Sequence, residues 1–248
     1  AAETRLPVVS DLRAMDLAFG GQGAPIVPIG EKLLMSEYDL FLNLGGIANI
    51  SVNADTYIAF DICPANRVLN MLANDSGKPY DEEGQMAASG KINIDLLEKL
   101  NQPDYYRRPY PKSLANDFGT DVLYPMIRDA GCGVQDALRT YVEHIAIQIK
   151  NAITNLTPDL PTRQTGSRLL VTGGGAFNKF LIERIKNNLL EPGIEVIIPH
   201  DNLVNYKEAL IMAFIGVLRW RQEYNVLSSV TGATRNSIGG ALWTGQEA

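Results

Sequence analysis

The stretch R-L-L-V-T-G-G-G-A-F-N, residues 168–178, decides the fold class of this 248-residue chain. Its first five residues predict a buried strand, three glycines follow at once, and residues 176–190 have a helical pattern. A buried strand that breaks into glycines before a helix is how α/β proteins make room for a nucleotide. The triplet is neither a dinucleotide fingerprint nor a P-loop, because no G-K-[ST] follows it. By itself it is equally well explained as a glycine-lined turn between a strand and a helix.

A second glycine turn lies upstream of this stretch. Residues 39–44 and 47–52 are apolar runs on either side of Gly45 and Gly46, which predicts a tight β-hairpin. The exposed N–H groups of such a turn can form an anion-binding concavity, although a plain hairpin explains the pattern as well. A third strand is predicted over residues 56–61, so we expect three sequential antiparallel strands.

The rest of the chain alternates helix and strand. Residues 134–153 place apolar side chains at steps of three and four, which predicts a long amphipathic helix. A second long helix is predicted over residues 203–224, and further strands over residues 5–10 and 194–198. A meander followed by alternating helix and strand predicts a mixed α/β sheet.

Composition excludes several classes of function. The net charge of −6 argues against a general binder of nucleic acid or of anionic membranes. No apolar run approaches the length of about 20 residues that a membrane-spanning helix needs. Cys63 and Cys132 are the only cysteines, so the expected setting is reduced and cytoplasmic. His144 and His200 are the only histidines, and we expect structural or exposed roles for both rather than catalysis. With so few soft ligands, we expect no zinc site.

The segment S-D-L-R-A-M-D-L-A-F-G-G-Q-G-A-P-I-V-P, residues 10–28, is the best candidate for catalysis. Asp11 ends a predicted strand beside a glycine-rich loop, where a carboxylate can serve as a general base near a bound sugar. Backbone N–H groups and Gln22 could contact sugar hydroxyls, while Asp16 and Arg13 either pair or bind ligand. An isolated Asp at a strand end is more often a cap or a turn former, and that alternative stays open on these residues.

Taken together, the segments resemble the anhydro-N-acetylmuramic acid kinase family. The resemblance follows family order across nearly the whole chain and is carried by the segment above and by five others: N-L-G-G-I-A-N-I, F-D-I-C-P-A-N, P-K-S-L, L-L-V-T-G-G-G-A-F-N and S-S-V-T-G-A. It implies the C-terminal lobe of an actin-like (ribonuclease H-like) ATPase, with a mixed sheet and flanking helices. Residues 1–30 would be a remnant of the N-terminal lobe, and residues 31–248 the C-terminal lobe.

The resemblance also implies ligands and residue roles. Asp11 would activate the water that opens a 1,6-anhydro ring, and Arg13, Gln22 and Glu208 would bind the sugar. The expected ligands are an amino sugar and ATP, with Mg²⁺ as a chelate of the nucleotide, no protein metal site and no nucleic acid or membrane partner. The family suggests a homodimer and a role in recycling cell-wall sugars in a bacterial cytoplasm. The residues expected to bind ATP are Asn43, Gly45, Gly46, Gly173, Gly174, Gly175 and Asn178.

Two departures from the family pattern shape the expectation. Cys63, Ala65 and Asn70 stand where Gly, Gly and Asp are common. No segment matches the family's first phosphate loop, a Gly-Thr-Ser followed by Asp-Gly, so we expect an N-terminally truncated piece that is inactive by itself. The alternatives are a nucleotide-binding fragment or inactive relative, and a related kinase that acts on a different sugar.

Overall fold

A computed structural model describes residues 1–54, 56–115, 117–156, 166–191 and 193–245. The chain forms two compact units, of which unit 1 comprises residues 1–37, 53–58 and 206–248. Unit 2 comprises residues 38–52 and 59–205. The resemblance predicts a boundary between an N-terminal and a C-terminal lobe at residue 30. These lobes are those of a whole family member, so this boundary stays a prediction.

The secondary structure follows in chain order. The described strands are β1 (Val8–Ser10), β2 (Leu40–Leu44), β3 (Ile47–Val52), β4 (Ile58–Pro64), β5 (Arg168–Thr172), β6 (Glu195–Ile197) and β7 (Ala241–Trp243). The described α-helices are α1 (Ala14–Ala18), α2 (Pro28–Leu34), α3 (Asn66–Asn74), α4 (Gln85–Ser89), α5 (Ile94–Asn101), α6 (Tyr124–Asp129), α7 (Val134–Leu156), α8 (Lys179–Leu189), α9 (Asp201–Trp220) and α10 (Ser228–Thr231).

Unit 2 is built on a five-stranded sheet with the order β4-β3-β2-β5-β6. β2 pairs antiparallel with β3, as the predicted hairpin requires, and parallel with β5, which in turn pairs parallel with β6. The central strands are largely buried, which explains why both are nearly continuous apolar runs rather than alternating ones. The predicted α/β class with a mixed sheet is therefore confirmed.

The helix α7 is the main helix of unit 2. It begins at the predicted residue and contacts α3, α4, α5 and α8. The apolar side chains at steps of three and four, among them Leu138, Ile145 and Ile149, are fully buried. The hydroxyl of Tyr141 donates to the carbonyl of Pro64 at 2.9 Å, which ties α7 to the end of β4.

The predicted boundaries shift where local chemistry intervenes. The single helix expected over residues 176–190 is a 3-10 turn, Gly174–Phe177, followed by α8. The carboxamide of Asn178 accepts a hydrogen bond from the amide of Leu181 at 2.9 Å, and this N-cap starts the second helix. β4 lies further along the chain than the predicted strand over residues 56–61, because the apolar run continues as far as Pro64.

Unit 1 joins the two ends of the chain. β1 and β7 form an antiparallel pair, and α2 and α9 contribute to a small apolar cluster. The buried members of that cluster are Ile26, Ile29, Ile211, Ile215, Leu218 and Val226. Within the described part of the chain, none of the helices combines the length and the apolar character that crossing a membrane requires.

Candidate functional site

The two glycine turns predicted to bind a nucleotide lie side by side in unit 2. β2 and β5 are parallel neighbours with Asn43 opposite Thr172, so both strands end at the same edge of the sheet. At Gly173 φ is +81°, and a Cβ atom would lie 2.5 Å from Asn43 Oδ1 and 2.9 Å from the carbonyl oxygen of Leu44. Only glycine fits this close approach, so the turn that begins at Gly173 is packed directly against the end of β2.

Asn66 connects a third segment to the same place. Its side-chain amide donates to the carbonyl of Leu44 at 2.8 Å, and its backbone N–H donates to the carbonyl of Gly45 at 3.0 Å. Its Oδ1 would lie 3.0 Å from a Cβ atom on Gly175. Asn66 is absent from the predicted site residues, although it ends the F-D-I-C-P-A-N motif, and its place in that motif was the available signal.

A cavity of about 1070 Å³ opens beside these segments in unit 2. Its lining includes Asn66, Gly174, Gly175 and Asn178. The charged side chains around it are mostly acidic: Asp81, Glu82, Glu83, Lys179, Glu183, Lys186 and Asp201. The cavity therefore offers many hydrogen-bond acceptors next to glycine turns whose backbone N–H groups are donors.

Two of the polar groups at this cavity have structural partners. The Asp81 carboxylate accepts hydrogen bonds from the amides of Met86 and Ala87 at 2.8 and 2.9 Å, so it holds the start of α4. Asn178, which was predicted to bind ATP, caps α8 through its side-chain oxygen. This cap fixes the N-terminus of α8 at the wall of the cavity.

The candidate base, Asp11, lies in unit 1 directly after β1. Its side chain is exposed, and it has a φ of +54°, a left-handed conformation that costs a non-glycine residue about 1 kcal/mol or more. The Ser10 hydroxyl donates to Asp11 Oδ2 at 2.8 Å, and the Trp243 indole N–H donates to Ser10 Oγ at 2.9 Å. The carboxylate is therefore held at the surface of unit 1 by a short chain of hydrogen bonds.

The residues predicted to bind the sugar also belong to unit 1, whereas all those predicted to bind ATP belong to unit 2. The Arg13 guanidinium donates to the carbonyl of Gly23, and Gln22 and Glu208 have exposed side chains. Asp16 does not pair with Arg13, because its carboxylate is buried and accepts from other groups of unit 1. The roles assigned to Asp11, Arg13, Gln22 and Glu208 stay predictions.

Cys63 and His144 are buried core residues, and for His144 this is the structural one of the two roles expected from the sequence. Cys63 is fully buried, and burial raises the pKa of its thiol, so it carries no reactive thiolate at neutral pH. His144 is fully buried, and burial lowers the pKa of its imidazole to about 3. Its ring nitrogens lie 3.1 Å from the Tyr106 hydroxyl and 2.7 Å from the Asn101 side-chain oxygen. A neutral histidine with two partners is a core residue.

Two solved structures have a coarse likeness to this chain. The activator of the 2-hydroxyisocaproyl-CoA dehydratase from Clostridium difficile, with bound ADPNP, is 13% identical with a TM-score of 0.49. The alignment covers 79% of this chain and 67% of that one. Component A of the (R)-2-hydroxyglutaryl-CoA dehydratase from Acidaminococcus fermentans is 14% identical with a TM-score of 0.43, covering 75% and 63%. At these values the likeness assigns neither a ligand nor a reaction to this chain.

Sequence comparison is far more specific. The family model described as anhydro-N-acetylmuramic acid kinase matches residues 1–245. A relative of that name from Sulfurovum sp. (strain NBC37-1) is 34% identical over 98% of this chain and 66% of its own length. A relative from Streptomyces coelicolor is 35% identical over 100% of this chain and 64% of its own length. The chain thus spans about two thirds of these relatives and belongs to the anhydro-N-acetylmuramic acid kinase family.

Proposed function

We propose that this chain functions in an ATP-dependent sugar kinase. The enzyme would convert 1,6-anhydro-N-acetylmuramic acid, ATP and water to N-acetylmuramic acid 6-phosphate and ADP. The observation that carries the proposal is the meeting of the Gly45–Gly46 turn, the Gly173–Gly175 turn and Asn66 at one edge of the unit 2 sheet, in a chain of this family. A cytoplasmic role in the recycling of cell-wall sugars, in a homodimer, belongs to the same proposal.

The glycine turns would bind the phosphates of ATP. Their backbone N–H groups can approach phosphate oxygens closely because no side chain intervenes. The acidic cavity beside them suits the nucleoside, whose ribose hydroxyls and amino group donate hydrogen bonds to carboxylates. Phosphoryl transfer depends mainly on positioning and on charge neutralisation, so these donors would act where negative charge develops.

Mg²⁺ would enter as a chelate of the nucleotide. Among the described residues, no three His, Cys, Asp or Glu side chains converge to hold a metal ion. A magnesium ion of this kind is bound mostly by substrate phosphates and water. Once bound, it would neutralise charge on the transferring phosphoryl group.

Asp11 would act as the general base. It would take a proton from water as the water oxygen bonds to the anomeric carbon, and the bond between that carbon and O6 would break. The freed O6 would then attack the γ-phosphorus of ATP, and ADP would leave. The exposure of the carboxylate and its anchoring by Ser10 support this role.

The proposal is tested by ADP release from the purified full-length protein that contains this chain, with 1,6-anhydro-N-acetylmuramic acid, N-acetylglucosamine or glucose as the substrate. We expect turnover with the anhydro sugar only, and a fall of about 100- to 10,000-fold in turnover for Asp11→Asn with ATP affinity unchanged. Asp95→Asn, which alters an exposed carboxylate on α5, is the matched control.

Two results would contradict the proposal. Turnover of Asp11→Asn within about tenfold of the unsubstituted protein, a difference of about 1.4 kcal/mol in the barrier, would exclude Asp11 as the base. Preferred turnover of a simple hexose would show instead a kinase for a different sugar.

A further inference from the structure

A buried carboxylate organises the glycine-rich loop of unit 1. Asp16 is 0% exposed, and its Oδ2 accepts a hydrogen bond from the amide of Gly23 at 2.8 Å. Its Oδ1 accepts from the hydroxyl of Thr231 at 2.7 Å. Thr231 is 1% exposed and ends α10, 215 residues further along the chain. We call Asp16, Thr231 and residues 21–23 the loop clamp.

Each residue of the loop is fixed by this clamp. The amide of Gly21 donates to the carbonyl of Asp16 at 2.9 Å, and the amide of Gln22 donates to the carbonyl of Thr231 at 2.9 Å. A Cβ atom on Gly21 would lie 2.2 Å from Asp16 Oδ2, so the loop closes around the carboxylate without space for a side chain. These hydrogen bonds therefore fix the backbone conformation of the loop on both sides of Gln22.

The clamp leaves one side chain of the loop available to a ligand. Gln22 is exposed, while the backbone groups that support it are bonded within unit 1. Asp16 cannot contact a ligand itself because it has no exposed surface. It therefore differs from Asp11, the other aspartate of the motif, whose carboxylate is exposed.

We infer that Asp16 and Thr231 are positioning residues that hold the Gly21–Gly23 loop, and with it Gln22, in the conformation that binds the sugar. The inference rests on the proposed function. A loop that is ordered before binding loses less conformational entropy when the ligand arrives, so its preorganisation favours affinity. A charged acceptor holds its donors more strongly than a neutral one, which explains the choice of a carboxylate for this task. The same contact joins the S-S-V-T-G-A segment to the catalytic candidate segment, residues 10–28.

The test compares Thr231→Val with Thr231→Ser. Valine keeps the shape of threonine and removes the hydroxyl, whereas serine keeps the hydroxyl. For Thr231→Val we expect the KM for the anhydro sugar to rise about tenfold, the change expected for the loss of one hydrogen bond to a charged group. The KM for ATP should stay unchanged, and Thr231→Ser should behave as the unsubstituted protein does.

Amide hydrogen exchange gives a readout that does not need turnover. In Thr231→Val the amides of residues 21–23 should exchange faster, while those of α7 should not change. Unchanged exchange in the loop, or an equal rise in KM for both substrates, would overturn the inference. Faster loop exchange in a protein that does not turn over the sugar would support the clamp and reject the proposed function. If Thr231→Val does not fold, the same measurements are made on Thr231→Cys, whose weaker donor should give an intermediate effect.

Discussion

Unit 1 joins distant chain segments through buried carboxylates, whereas unit 2 joins them through a five-stranded sheet and a long apolar helix. In unit 1, Asp16 binds Thr231, and Glu31 binds the Lys207 ammonium at 2.7 Å. Each of these pairs links the first 37 residues to the segment that begins at residue 206. In unit 2 the buried Asp39 carboxylate also accepts from the amide of Arg168, but most of the joining is done by the pairing of β2 with β5 and by the buried apolar side chains of α7.

The difference shows what each kind of contact can fix. Apolar packing is non-directional and holds whole strands and helices together. A carboxylate that accepts hydrogen bonds from specific donors fixes the position of individual groups. If one member of such a buried pair is removed, the group left without its partner strongly destabilises the folded state. The small apolar cluster of unit 1 is accordingly supplemented by polar contacts that set the course of its loops.

The largest expected effect comes from breaking a polar link of unit 1. Lys207→Met removes the cationic partner of Glu31, and both side chains are buried. We expect the free energy of unfolding to fall by about 3–5 kcal/mol, because a buried charge loses its counter-ion. Urea denaturation measures the change.

Two further variants make this prediction specific. Glu31→Gln combined with Lys207→Met should recover much of the loss, because it removes the uncompensated charge. Lys32→Met, on α2 of the same unit, is the control and should change the free energy of unfolding by less than about 1 kcal/mol. If Lys207→Met matched this control, the buried pair would not link the segments of unit 1.

A smaller effect is expected from crowding the glycine turn of unit 2. Gly173→Ala places a Cβ atom against the backbone of Leu44 at a φ of +81°, so it should cost about 3 kcal/mol of stability and abolish ATP binding. Gly133→Ala, directly before α7 in the same unit, is the matched control, because its Cβ would meet no atom of the described residues within 4 Å. Thermal unfolding and titration with ATP measure both properties. Equal behaviour of the two variants would show that the turn is not closely packed against β2.

The effect that is smallest at neutral pH concerns the titration of His144, a buried residue of unit 2. Burial lowers the pKa of His144 to about 3 in the folded state, below its value in the unfolded chain. Between these two pKa values His144 is protonated in the unfolded chain and neutral in the folded protein. The free energy of unfolding therefore falls as the pH falls below about 6.5, by up to about 1.4 kcal/mol per pH unit. His144→Gln should flatten this part of the curve of unfolding free energy against pH.

His200→Gln, which alters the other, exposed histidine, is the control for this titration. The effect of His144→Gln on the slope is compared with the effect of this variant between pH 4 and pH 6. A slope that is unaffected by His144→Gln would mean that the imidazole is not held neutral in the core of unit 2.

The sequence by itself determined the local elements and the class of the fold. The hairpin around Gly45 and Gly46, the strand before Gly173 and the start of α7 were all predicted at or next to their observed bounds. These features depend on apolar periodicity and on turn chemistry, which are properties of neighbouring residues. The order of motifs also indicated the family, because several short matches in one order are far more specific than any single glycine cluster.

Only the tertiary structure decided which distant residues meet. The contacts of Asn66 with β2 and of Asp16 with Thr231 join residues 22 and 215 positions apart, and no local pattern encodes such a distance. Polar residues have the same appearance in a sequence whether they are solvated or buried with a partner. The sequence could therefore nominate Asp11 and the glycine turns, whereas the carboxylate that holds the loop beside Asp11 became visible only when the chain ends of unit 1 were brought together.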